Sequence, residues 1–283
     1  MNYLITGATG NIGGRVVERL AGLGLRPRVF VRDRDKAWAR FGDRVEVAEG
    51  DLSDRPSLSV ALKGMAGLFL VNGGPSLGKL DGLAAEAARE AGVKRLVKLS
   101  SFDVHRTDGS SVGAWHAEGE SAIRATGLSY TFLQPAGFMS NALAWASSIQ
   151  AEGAIRASTG EGRIAMIHDD DIAAMAVKAL LSGAHQTSWP ITGPEALSYA
   201  EMAARIGGAI GKPLRFHPIS DGEAFEGLCH KGLPPAVAEA LVALWRAVRE
   251  GHLATVTDTV ERVLGRKPIS FTRWALEHRS AFR

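Results

Sequence analysis

In the first half of the chain, short apolar runs alternate with stretches whose apolar residues recur at helical spacing. The runs Asn2–Ile5, Pro27–Arg32, Val45–Ala48, Gly67–Val71, Arg95–Leu99 and Ser129–Leu133 read as strands. Between them, Ile12–Leu23, Pro56–Leu62, Lys79–Ala91 and Ala114–Ala125 read as helices. Strands and helices in strict alternation, with short connections, predict an α/β fold: a doubly wound parallel sheet of the Rossmann type. The expected strand order is 3-2-1-4-5-6 with right-handed crossovers. After about Pro135 the pattern turns mainly helical, at Gly137–Gln150, Asp169–Leu181, Tyr199–Ile210, Pro234–Arg249 and Thr257–Leu264. Short strands are expected near Arg163–Ile167, Ser188–Ile191 and Leu214–His217. The expected organisation is a dinucleotide-binding body over 1–150 and a smaller, mainly helical substrate lobe over 151–283. That lobe would return in part to the main sheet and close a cleft at the carboxyl ends of its strands.

Composition narrows the setting. With 283 residues, 46% of them hydrophobic, the chain can bury a sizeable core. Its 33 basic and 30 acidic residues leave a formal charge of +3 with no basic run, which argues against a nucleic-acid partner. Cys229 is the single cysteine, so no internal disulfide forms and a reducing compartment is expected. No apolar run approaches the roughly 20 residues that span a bilayer, and no signal peptide precedes the first strand. The expectation is a soluble, cytoplasmic protein without a membrane partner, either monomer or homodimer.

The chemistry begins at the first turn. The strand ending at Ile5 runs into Thr6-Gly7-Ala8-Thr9-Gly10-Asn11-Ile12-Gly13, a Gly-x-x-Gly-x-x-Gly turn that opens an amphipathic helix. Such glycines allow a tight turn, close approach of backbone to a pyrophosphate, and close packing of helix on strand. The phosphates would rest on the unpaired N–H groups of the helix N-terminus. At the end of the second strand, where an NAD-selective protein usually places an acid, stands Arg32. A guanidinium suits a 2′-phosphate, so NADPH is the expected cofactor. Arg34 and Lys36 read instead as a solvated turn facing Asp33 and Asp35.

The glycine motif, VFVRDRDKA, EGDLSD, KLSS and HAEGESAIRATGLSYTFLQPAGFMSN together resemble the NmrA-like family of atypical short-chain dehydrogenase/reductases. The resemblance is to its NADPH quinone oxidoreductase and azoreductase-like branch. It covers about the first 180 residues, with HDDDIAAMAVKALL as its last clear landmark. It implies that Thr6, Gly7, Thr9, Gly10, Asn11, Ile12, Gly13 and Arg32 bind the cofactor. Asp51 and Leu52 would lie beside the adenine, and Asn72 and Gly73 beside the ribose and pyrophosphate. Ser100 and Pro135 would edge the nicotinamide.

The Tyr-x-x-x-Lys pair of typical short-chain reductases is absent, since none of the three tyrosines has a lysine four residues later. Aligned on Glu120, the tyrosine position holds Val112 and the lysine position His116. His116 is the candidate proton donor or substrate-orienting group; Glu120, one turn on, reads either as a holder of the ring or as an N-terminal helix charge, and Ser101 would assist the acceptor oxygen. The same histidine also reads as a bridge between backbone carbonyls, and both readings stay open. No His, Cys, Asp or Glu set has metal-ligand spacing, and His168-Asp169-Asp170-Asp171 reads as a helix cap. Phe102, Phe138, Met139, Trp145, Phe225, Leu228 and Trp245 either line an apolar substrate pocket or form core. The resulting expectation is an NADPH-dependent oxidoreductase passing hydride to a quinone-like, aromatic or otherwise conjugated small molecule. The alternatives are a redox sensor that binds NAD(P) and regulates a protein partner, and an isomerase or epimerase that retains its cofactor.

Overall fold

The computed structural model describes residues 2–105, 112–182 and 186–283. In chain order the first elements are β1 (Tyr3–Thr6), α1 (Asn11–Gly22), β2 (Arg28–Val31), α2 (Arg34–Phe41), β3 (Glu46–Glu49) and α3 (Arg55–Leu62). Then follow β4 (Gly67–Leu70), α4 (Leu77–Glu90), β5 (Arg95–Leu99), α5 (Val112–Ala125) and β6 (Tyr130–Pro135). The later elements are α6 (Ala146–Glu152), β7 (Ala154–Ala157), β8 (Arg163–Ile164), α7 (Asp169–Ser182), β9 (Thr187–Ile191), β10 (Leu197–Ser198) and α8 (Tyr199–Ile210). Last come β11 (Arg215–Pro218), α9 (Asp221–His230), α10 (Pro235–Arg249), α11 (Thr259–Leu264) and α12 (Phe271–Glu277).

The main sheet runs β3-β2-β1-β4-β5-β6-β9, so the expected order holds and a seventh strand from the second half extends it. The pairs β1–β2, β1–β4, β2–β3, β4–β5 and β5–β6 are all parallel. Every residue of β1 and β4 is buried, as parallel strands covered by helices on both faces require.

The described residues form two compact units that interleave in the chain. The first takes its residues from Met1–Ser100, Trp115–Gln134 and Asp169–Trp189. Leu4, Leu68, Leu70, Leu96 and Phe132 form its core, with Ala84, Ala85 and Ala88 of α4. In the same unit α7 packs along α1. The second takes Ser101–Ala114, Pro135–His168 and Pro190–Arg283. There β7 pairs with β11 and β8 with β10, over a core that includes Trp145, Tyr199, Met202, Phe271, Trp274 and Phe282. Among the described residues no helix is long and apolar enough to cross a membrane.

Three local differences from the sequence pattern have physical causes. The stretch after Gly137 does not start as an α-helix, because Phe138 bridges to Ile167. The backbone then runs as a 3-10 segment, Met139–Trp145, before α6. Arg34 and Lys36 lie in α2 rather than in a turn; only Ala37 and Phe41 of that helix are buried, and Asp33 caps it by accepting from Lys36 N at 3.0 Å. Helix α9 is set by a capping box, Ser220 with Glu223, on a short segment whose apolar stripe is weak.

Candidate cofactor site

The glycine turn is tied down from below. Thr6 Oγ1 donates to Val71 O at 3.0 Å and accepts from Val71 N at 2.7 Å, which locks the end of β1 to the chain leaving β4. Gly7 has φ +59°, and a Cβ there would press on the Val71 side chain at 3.0 Å. Gly10 N donates back to Gly7 O at 2.9 Å. A Cβ on Gly13 would stand 2.2 Å from Gly7 O, so this glycine lets α1 close on the turn.

The N-terminus of α1 differs from its neighbours. Asp33 caps α2, Asp54 caps α3 and Ser198 caps α8, each through its side chain. Gly10 supplies no side-chain cap to α1, and the first turn carries no acid. An uncapped helix start next to a glycine turn is what an external anion needs. Arg40 of α2 braces this turn, donating to Thr9 O (3.2 Å) and Gly10 O (3.1 Å) and pairing with Glu18. Gly14 makes room for that guanidinium, since a Cβ there would collide with it.

A cavity of about 800 Å³ opens above the turn in the first unit. Thr6, Gly7, Thr9, Gly10, Arg32, Asp51, Leu52, Asn72 and Gly73 all line it. Arg32 is exposed at the end of β2, and none of the described residues hydrogen-bonds or ion-pairs with it. Asp51 accepts from Ser53 Oγ (2.6 Å) and Ser53 N (2.9 Å) through Oδ1. Those bonds, with Arg32 nearby, hold its carboxyl below the usual carboxylate range. Ser76, just before α4, and the exposed Lys79 of α4 also line it, and sequence reasoning left both out.

The other candidates lie off the cavity. Asn11 turns its side chain to Asp169, Ile12 is buried, and Gly13 serves the packing described above. Ser100 is buried and donates to Glu120 Oε1 at 2.6 Å. Pro135 ends β6, and Ser101 Oγ accepts from Asp103 N at 3.3 Å; both belong to the second unit.

A second polar group lies on β5, α4 and α5 of the first unit. Lys98 and Asp81, both fully buried, form an ion pair. Gly119 allows it, because a Cβ there would fall 2.2 Å from Asp81 Oδ2. Burial pushes the Asp81 carboxyl up and the Lys98 ammonium down, each opposed by the partner's charge. Glu120 also accepts from Gln134 Nε2 and Arg124 Nη2, both at 2.8 Å. Glu120 therefore bonds Ser100, Gln134 and Arg124, while His116 Nδ1 finds no described partner, and the expectation that Glu120 holds the His116 ring is corrected. His116 is buried, and its Nδ1 has no hydrogen-bond partner among the described residues. Burial, and then the Lys98 charge, hold its pKa well below the ordinary value of 6.5. The ring is neutral at physiological pH and offers a hydrogen bond rather than an acidic proton.

Of the aromatic candidates, Met139 and Trp145 are buried in the core of the second unit, with Phe102 and Trp245 packed against it. Tyr199 is buried in that core too, and its phenol is pushed above the usual range by burial. Among the described residues no three His, Cys, Asp or Glu side chains converge as metal ligands.

Comparisons with known proteins agree with this geometry. Residues 7–182 match the family described as NAD(P)H-binding. The (4-alkanoyl-5-oxo-2,5-dihydrofuran-3-yl)methyl phosphate reductase of Streptomyces griseus is 38% identical over 281 residues, 99% of this chain and 98% of that protein. The NAD(P)H azoreductase of Xenophilus azovorans is 35% identical over the same shares of the two chains. The crystal structure of an NADPH-dependent quinone oxidoreductase from Escherichia coli, complexed with NADPH, superposes with a TM-score of 0.89 at 25% identity, over 98% of this chain and 99% of that one. With an uncapped glycine turn, a cavity beside it and full-length reductase relatives, the chain belongs to the NAD(P)H-binding family, as an NAD(P)H-dependent reductase of its NmrA-like, quinone-reductase-like branch.

Proposed function

We propose that this reductase prefers NADPH and passes hydride to a quinone-like or other conjugated small molecule. The observation that carries the cofactor preference is Arg32: an exposed guanidinium, with no hydrogen bond or ion pair among the described residues, lining the cavity where an NAD-selective protein would place an acid. It would pair with the 2′-phosphate through two N–H groups. Asp51, ionised and with Oδ2 left open, would accept from the adenine amine, and the first N–H groups of α1 would hold the pyrophosphate. Asn72 and Gly73 bring backbone beside the ribose. Within the first unit, Ser100 and His116 are proposed at the nicotinamide end on the family pattern.

When bound, the cofactor supplies the hydride. The chain's own part is to orient the acceptor and accommodate its developing negative oxygen. A neutral His116 does this by donating an N–H. A quinone suits such a site, because its reduced oxygen is a stabilised phenolate that takes its proton from water and needs no strong protein acid. The azoreductase and quinone oxidoreductase among the relatives support this acceptor class. A cytoplasmic setting belongs to the same proposal and rests on the lone Cys229.

The test is oxidation of NADPH and of NADH, followed by loss of near-ultraviolet absorbance, with and without a panel of small quinones. Turnover with NADPH and a quinone is the expected result; no turnover with any acceptor overturns it. Arg32→Ala should weaken NADPH by about 1.5–3 kcal/mol, about ten- to a hundredfold, and leave NADH within about twofold. Equal loss of both cofactors removes the 2′-phosphate assignment.

A further inference from the structure

The acids that open α7 reach beyond their own helix. Asp169 is buried at 0% exposure, and its Oδ1 accepts from Asn11 Nδ2 at 2.7 Å. Asp170 accepts from Arg15 Nη1 at 2.6 Å. Arg15 Nε in turn donates to Asn11 Oδ1 at 3.0 Å, so the contacts chain Asp169, Asn11, Arg15 and Asp170 together. The two outer ties join residues 158 and 155 positions apart, and they fall on the first turn and a half of α1.

Carboxylates beside a helix N-terminus compete electrostatically with any phosphate bound there. Their contribution to anion binding must therefore come from geometry. Asn11 follows Gly10, a cavity-lining residue, and the turn before it carries Gly7 and Gly10. Glycine-rich backbone loses much conformational freedom when it is ordered. An anchor that orders the turn before the ligand arrives lowers the cost of binding.

We propose that Asp169, supported by Asp170, is a positioning residue for the dinucleotide: it anchors Asn11 and Arg15 and so holds the glycine turn and the start of α1 ready to receive the pyrophosphate. The inference rests on the reading that this helix start holds the pyrophosphate. Asn11 then serves the cofactor through its backbone, its side chain being engaged by Asp169. The pyrophosphate is common to NADPH and NADH, so the clamp acts on both cofactors alike, unlike Arg32.

The test measures dissociation constants for NADPH and NADH and, separately, kcat at saturating cofactor. Asp169→Ala should weaken both cofactors alike by about tenfold and leave kcat within about twofold. Asp169→Asn keeps an oxygen that accepts from Asn11 Nδ2 and should recover most of the loss. Asn11→Ala changes an exposed side chain and so guards against misfolding; it should repeat the loss and add little in the double variant. Gly13→Ala, which drives a Cβ to 2.2 Å from Gly7 O, serves as the control for the turn itself. Normal binding by Asn11→Ala and Asp169→Ala, with binding lost in Gly13→Ala, overturns the clamp alone. Normal binding in all three overturns the reading of the glycine turn, and the clamp with it.

Discussion

Both units have apolar cores, and they differ in where they place their ion pairs. In the second unit the deepest packing is aromatic. Trp274 is wholly buried, with Phe271 at 5.2 Å, Phe282 at 6.0 Å and the His278 ring stacked at 4.7 Å. Its multiple ion pair is peripheral, where Asp221 takes bonds from Arg246 and Arg249. In the first unit the equivalent depth holds Lys98, Asp81, Glu120 and His116, each no more than 9% exposed. Buried charge is costly to desolvate, and replacing it with apolar packing is often neutral or stabilising. Perturbed ionisable groups concentrate at functional sites. The contrast lies in the buried ion pair that the first unit adds to its apolar core, beside Glu120 and His116 on α5.

The contrast breaks most sharply at Trp274. Trp274→Ala should destabilise the protein by about 3–5 kcal/mol through transfer and cavity terms, read as a fall in the denaturation midpoint at constant m-value. A loss below about 1 kcal/mol would mean that the aromatic core is not where the second unit's stability lies. In the first unit, Lys98→Met should cost about 3 kcal/mol, because Asp81 loses its counter-charge in the interior. Adding Asp81→Leu should restore most of that stability. If the double variant is as unstable as the single one, the pair is structural in the same sense as Trp274.

The smallest effect is a dependence on pH. The native His116 pKa lies well below 6.5, so between those values the unfolded chain binds the extra proton and the native one does not. Stability from this site is present above about pH 6.5 and is lost as the pH falls, by at most about 1.4 kcal/mol per pH unit. His116→Leu should flatten the acid limb of stability against pH by up to that slope. Identical slopes in the two proteins would show that the histidine titrates normally and is not buried beside a cation.

How far the site could be read in advance depends on the range of its contacts. The glycine turn was legible because Gly7, Gly10 and Gly13 constrain one another within a single turn. Arg32 was legible because its place is the end of a strand, which the apolar run before it marks. Asp81 with Lys98 was not, since the partners are 17 residues apart and neither type signals burial in sequence. Asn11 with Asp169 was read as two separate features, a cofactor contact and a helix cap, because nothing local joins residues 158 apart. Lys79 and Arg40 look like ordinary surface cations until α4 and α2 set them against the cavity and the turn.

Periodicity and turn chemistry are near-neighbour properties, so the amino-acid order alone was enough for the first six strands, their 3-2-1-4-5-6 order and the glycine turn. The seventh strand, the interleaving of the two units, the partners of the buried charges and the neutrality of His116 came only with the folded chain. Strand addition and charge pairing are contacts between distant residues, and a pKa in the interior is set by the dielectric and the neighbours that those contacts create.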